Sequence, residues 1–290
     1  MSLKDPILTV FQTQKISILL KLKDDRLIIY SEEDRAIKLY NYNFSLSYTI
    51  NKISSLIKSM IQIKNENLIC ASYEITVLQL NKNNYDIIQT LKIRTDKIIE
   101  ISDNNIIALQ NSNITFYSLQ NNKYILKEEC KFKEYVDNAI VIKDNDICLL
   151  LDNYSKTLSI NIFDIESKEM KFQLYEIKNK ESGEMCVIQN KYLIVSLYLY
   201  LILIDIDTYK ILHQIRTSFG CVVTFCPWND YTFFSGDDIG DINEWKINNN
   251  KIVKVKEYNN GQKTIKSILK INDNLMAAGS YDKFIKFYKL

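Results

Sequence analysis

One pattern recurs seven times in this chain, and it limits the fold more than any other feature. Each copy has an Asn- or Asp-bearing turn, a short apolar strand, a second tight turn, and another strand. The copies read "DDRLIIYSEEDRAIKLYNY", "NENLICASYEITVLQLN", "DNNIIALQNSNITFYSLQ", "DNDICLLLDNYSKTLSINIFDI", "QNKYLIVSLYLYLILIDID", "WNDYTFFSGDDIGDINEWKI" and "NDNLMAAGSYDKFIKFYKL". A marker near the end of the second strand falls at Tyr40, Gln79, Tyr117, Phe163, Asp205, Trp245 and Tyr288, at intervals of 39, 38, 46, 42, 40 and 43 residues. Helical repeats of this length show apolar spacing of about 3.6 residues, which these segments lack. A period of about 40 to 45 residues with four strands per unit marks the blade of a β-propeller.

Each period supplies the two remaining strands. An apolar strand precedes each pair, as in "ISILLKL", "NAIVI" and "CVVTF", and a more charged one follows, as in "YILKEEC" and "KIVKVKE". The last copy ends at Leu290 after its third strand, while a spare strand, "PILTVFQT" (6–13), stands at the N-terminus. Pairing the two closes the ring and removes an exposed sheet edge that invites aggregation. The expected fold is all-β: a single seven-bladed propeller of four-stranded blades over residues 1–290, its last blade completed by residues 6–13.

The most apolar stretch, "KYLIVSLYLYLILIDIDT" (191–208), fits this architecture better than a membrane helix. A membrane helix needs roughly 20 apolar residues. Only 13 residues run from Tyr192 to Ile204 before Asp205 and Asp207, and many are β-branched or aromatic, which favours strand. Two short strands joined by a turn, with both faces buried between neighbouring blades, account for the lost alternation.

The segment "VVTFCPWNDYTFFSGDDIGDINEWKI" (222–247), followed by "LMAAGSYDKFIKFYKL", resembles the WD-repeat β-propeller family. Phe225, Pro227, Ser235, Gly236, Asp238 and Trp245 fall on that family's Phe-x-Pro turn, Ser-Gly pair, acidic turn and terminal Trp. No Trp-Asp dipeptide occurs, and the family's Gly-His is missing from every copy. The Asp-His-Ser-Trp set that often ties such blades together is therefore not expected. In blades 2 to 5 the resemblance rests on pattern and spacing alone.

Catalytic chemistry has little to work with. Ser-His-Asp and Cys-His sets need a histidine base, and the single one, His213, sits in the outer strand "KILHQIRT". The six cysteines form no Cys-x-x-Cys pair, so neither zinc ligation nor a disulfide framework is indicated. No phosphate-binding Gly-x-x-x-x-Gly-Lys loop is present. Asp205, Asp207, Asp237, Asp238 and Asp241 read as turn formers. No catalytic residue, metal, cofactor or small-molecule substrate is expected.

A formal net charge of +2, with Lys and Arg scattered, gives no nucleic-acid footprint. The abundance of Asn, Lys, Ile and Tyr points to an AT-rich genome, such as a protist's. With six Gly and two Pro in 290 residues, turns must be built from Asn and Asp. Free buried thiols and the lack of an apolar leader point to the cytoplasm, with cytoskeletal or nuclear placement also open.

Function must then lie on the surface. In the resembled family, the turns between second and third strands and the connections between blades share one face of the disc. Here those loops carry Glu32, Glu33, Asp34, Glu74, Asp152, Asp237, Asp238 and Asp282 against Arg35, Lys156 and Lys283, so the face is expected to be acidic. Blade 5 differs, because its turn is "LYLY", and Leu197, Tyr198, Leu199 and Tyr200 are expected to form a docking patch unless the neighbouring turn Asn153 to Thr157 covers it. The expected role is a non-catalytic scaffold docking other proteins of a multi-subunit complex. A ubiquitin-ligase substrate receptor and a propeller enzyme with a central-channel site are the alternatives, although no copy has the Trp-Asp-x-Arg ending that often goes with the former.

Overall fold

The computed structural model describes residues 6, 8–11, 15–41, 43–51, 53, 56–102, 104–143, 145–154, 156–178, 183–217, 220–259 and 263–290. Its 28 strands form seven four-stranded antiparallel sheets, the blades of a propeller. Blades 1 to 6 each use four consecutive strands. Blade 7 combines Ile265–Asn272, Leu275–Ser280 and Phe284–Lys289 with the N-terminal Leu8–Phe11. That strand pairs antiparallel with the third, from Leu8 opposite Phe287 to Phe11 opposite Phe284, and closes the ring. Residues 7, 12 and 13 of the expected closing strand lie outside the described residues.

Asparagine does the work of glycine in the turns. Asn121 and Asn122, between the paired Gln120 and Lys123, have φ of 48° and 62°. Asn249 and Asn250 repeat the arrangement at 47° and 59°. Two successive positive φ values define a type I′ hairpin, whose twist matches that of the strands it joins.

The core is divided radially. The described residues form seven apolar clusters, and each lies at the joint between two neighbouring blades. The paired strands Tyr192–Leu197 and Tyr200–Asp205 show why. Leu193, Val195, Leu197, Ile202 and Ile204 enter the cluster shared with blade 4. Tyr192, Ile194, Leu201 and Leu203 enter the one shared with blade 6. Side chains still alternate with a period of two; both faces simply meet apolar neighbours. Burying one such Leu or Ile stabilises by about 1.5–3 kcal/mol.

Close approach between blades is met by small residues on one side of a joint. A Cβ on Gly236 of blade 6 would lie 2.6 Å from Ile265 Cγ2 of blade 7. On Gly279 it would lie 2.5 Å from Ile16 Cγ2 of blade 1. Between blades 4 and 5 the roles reverse, with Gly183 facing Leu150. Between blades 1 and 2, the Ile57 amide donates to the buried Tyr30 hydroxyl at 2.8 Å.

Blade 6 carries a buried Trp–Ser tie. Trp245 Nε1 donates to Ser235 Oγ at 2.8 Å in a buried environment. The indole stacks on Phe233, with centroids 6.4 Å apart and planes at 16°. Half of the four-residue set of the resembled family is thus formed without a histidine. The sole histidine instead fastens the rim, its Nδ1 accepting from the Ile252 amide at 3.2 Å across the joint between blades 5 and 6.

Candidate interaction face

Strands alternate in direction within a blade, so the starts of first strands, the turns between second and third strands, and the ends of outer strands share one face. Hydrogen bonds lace these parts together. The Thr95 amide donates to Ser72 O at 2.7 Å, the Phe132 amide to Ser112 O at 2.8 Å, and the Thr217 amide to Leu199 O at 2.7 Å. A turn and the blade-to-blade connection beside it therefore form one surface.

The acidic residues expected to dominate this face are divided in placement. Glu33 is exposed and pairs with Lys15 at 3.4 Å, while Glu32 is half-buried. Asp238 is exposed and accepts from the Cys221 amide at 2.8 Å. Asp237 is not on the surface: it is 2% exposed, and Oδ1 accepts from the amides of Gly240 at 2.9 Å and Asp241 at 2.7 Å. Burial raises its pKa to about 6 against those hydrogen bonds. Asp205 likewise closes its own turn, accepting from the amide and hydroxyl of Thr208 at 2.8 Å.

The apolar patch of blade 5 is smaller than its sequence suggests. Leu197 is fully buried, the last residue of its strand, and belongs to the joint with blade 4. Strand parity turns it inward, and the glycine at 183 leaves room for it. Tyr198 is 41% exposed, and Leu199 and Tyr200 are half-buried. Tyr198 has a φ of 52°, a left-handed backbone that bulky side chains seldom adopt. Ser155 of the neighbouring turn lies outside the described residues. Tyr154 of that turn leans toward blade 3, its hydroxyl 3.4 Å from Ser112 Oγ.

Two more turn tips carry exposed tyrosines: Tyr73 in blade 2 at 66% and Tyr154 in blade 4 at 65%. Cations stand in the connections beside them and, at Lys156, in the turn itself. Arg94 lies over the Tyr73 ring, 5.5 Å from its centroid. Lys133, Lys156, Lys178 and Arg216 are all exposed. Glu74, Glu134, Asp152 and Glu184, in the same blades, are at most half-exposed. Among the described turn and connection residues of blades 2 to 5, the face is basic and aromatic outside, with its carboxylates recessed. The turn carboxylates of these blades, Glu74 and Asp152, are half-buried, and the exposed charges beside them are cations.

Toward the centre, a pocket of 260 Å³ opens among Lys58, Asp96, Lys97, Asp137, Asn138 and Glu184. Lys58 pairs with Asp96, and Lys97 hydrogen-bonds Asn138 and lies 3.8 Å from Glu184. The Asp137 carboxylate accepts from the Gly183 amide at 3.2 Å, and burial raises its pKa to about 6. His213 is remote in the fold from this pocket, being on an outer strand, whereas first strands line the channel. All six cysteines are free, and burial raises the Cys226 thiol to about 11, away from the reactive thiolate. Among the described residues, no helix is long and apolar enough to cross a membrane.

No family model matches the chain, and no curated protein matches it in sequence. Solved structures match the fold. A chain of the "Crystal Structure of Mitotic Checkpoint Complex" superposes with a TM-score of 0.78 at 11% identity, over 99% of this chain and 92% of that one. The "Structure of U3-55K" superposes at 0.79 with 9% identity, over 97% and 98%. The class defined by fold and face is a seven-bladed β-propeller whose exposed chemistry lies at turns and connections.

Proposed function

We propose that this chain is a WD-repeat-type propeller acting as a non-catalytic docking platform within a multiprotein assembly. One observation carries the reading: Tyr154 and Tyr198 stand at exposed turn tips with φ of 39° and 52°. Asn or Gly would occupy such positions at lower conformational cost, and strained residues cluster where binding takes place. Exposed tyrosines on a rigid scaffold suit protein recognition. The titled complex among the structural neighbours supports the same role. Six free thiols favour a reducing compartment, the cytoplasm or nucleus.

The test is purification of the tagged protein from its native source at low salt. Partners eluting with it in fixed stoichiometry are expected. Elution of the 34.1 kDa chain alone, or turnover of small-molecule substrates by the pure protein, would refute the reading.

A further inference from the structure

We propose that the basic, tyrosine-bearing arc of blades 2 to 5 binds an extended acidic segment of a protein partner. The inference rests on the platform reading above and adds where the partner sits and what chemistry it presents. Around this arc, exposed aromatic and cationic side chains alternate: Tyr73 under Arg94, then Lys133, then Tyr154 with Lys156. Lys178, Tyr198 and Arg216 continue the series. Fully exposed carboxylates do not interrupt it at the described turns and connections of these blades. The remaining blades are different: among their described residues, exposed Glu33, Asp34 and Asp238 are matched by Lys15, Arg35 and Lys263.

Charge complementarity selects an anionic occupant. The tyrosines add ring faces for apolar side chains, and the guanidinium of Arg94 favours carboxylates through its planar fork. The recessed Glu74, Glu134, Asp152 and Glu184 decide between anionic polymers. A nucleic acid carries a charge at every phosphate and would bring some against these carboxylates. A peptide whose Glu or Asp residues are spaced by apolar ones can lay the apolar residues over them and its carboxylates on the cations.

The test is fluorescence anisotropy with the full chain and a labelled peptide in which Glu alternates with Leu. A matched Lys-Leu peptide and single-stranded oligothymidylate are the comparison probes. Binding of the acidic peptide is expected to exceed both, to weaken as salt rises, and to fall about tenfold or more in Arg94→Glu/Lys133→Glu/Lys156→Glu/Arg216→Glu. Tyr154→Ser/Tyr198→Ser is expected to weaken it as well, while Lys15→Glu/Lys263→Glu on the opposite blades leaves it unchanged. Thermal melting of each variant, with all sites exposed, identifies misfolding; Arg→Gln and Lys→Gln versions then replace any reversal that fails to fold. Tighter binding of oligothymidylate, equal loss in the Lys15/Lys263 variant, or peptide binding independent of salt overturns the proposal. So does a concentration-dependent dimer abolished by the fourfold reversal, which assigns the arc to a second copy. If native partners are retained by the fourfold variant, the arc assignment fails while the platform reading stands.

Discussion

Blades 5 and 6 solve the same packing problem with different chemistry. Each must bury both faces of its middle strands against a neighbour. Blade 5 does so chiefly with aliphatic side chains, Leu193 to Val195 and Leu201 to Ile204, all within 1% of full burial. Blade 6 uses Phe233, Phe234 and Trp245 and fixes the indole through Ser235. At the corresponding point of the second strand, blade 6 has Gly236 against Ile265 of the next blade, and blade 5 has Ser196, whose hydroxyl lies 3.4 Å from Val222 O of the next blade. The propeller thus specifies the shape of each joint and leaves the chemistry that fills it free. This explains how the fold persists where motif residues are missing.

Deletion of the packing group should affect the two blades unequally, and this is where the largest effect is expected. Trp245→Ala removes a buried ring and orphans the Ser235 hydroxyl, and should cost about 4 kcal/mol. Leu203→Ala in blade 5 should cost about 3 kcal/mol. Denaturant titration measures both; equal or reversed costs would break the distinction between a polar-tied and an aliphatic joint.

Small-residue sites sharpen the comparison further. Gly236→Ala forces a Cβ against the Ile265 side chain and should cost about 2 kcal/mol through overpacking. Ser196→Ala in blade 5 removes a hydroxyl that accepts from the Glu184 amide at 2.9 Å, and should cost about 1 kcal/mol. A Gly236→Ala protein as stable as the parent would show that the joint yields.

Two carboxylates, the buried Asp237 and the half-buried Asp137, set the next effect in order of size. Asp137 and Asp237 each have a pKa raised from 3.8 to about 6, so the folded state binds their protons more tightly than the unfolded state does. Stability should therefore fall as pH rises from about 4 to 6 and level off above that range. Asp137→Asn and Asp237→Asn should each flatten the slope and stabilise the protein above pH 6, because the amide oxygen keeps the acceptor role. Melting temperatures across the range measure this, and a slope unchanged in the double variant contradicts it.

The smallest effect on stability belongs to the exposed part of blade 5. Tyr198→Ser should shift the melting temperature little, since the side chain is outside both joint clusters, whereas Leu197→Ser buries a hydroxyl in the cluster shared with blade 4 and should destabilise by about 2–4 kcal/mol. Equal losses would place Tyr198 in the core.

Sequence alone determined the blade count, the all-β class and the closing strand, because these follow from local signals. The seven-fold spacing of marker residues, Asn-built turns and the spare N-terminal strand are visible without any knowledge of neighbours. What only tertiary structure decided is which side of each turn faces solvent. Leu197 and Tyr198 are adjacent and both apolar-bodied, yet one closes a joint and the other stands on the surface, because strand parity and the space at Gly183 are properties of two blades together. Asp237 and Asp238 divide in the same way between a buried turn cap and an exposed acid. The cationic arc was also invisible, although each residue stands plainly in the chain: Arg94, Lys133, Lys156 and Arg216 come from different repeats, and only closure of the ring brings them to one face.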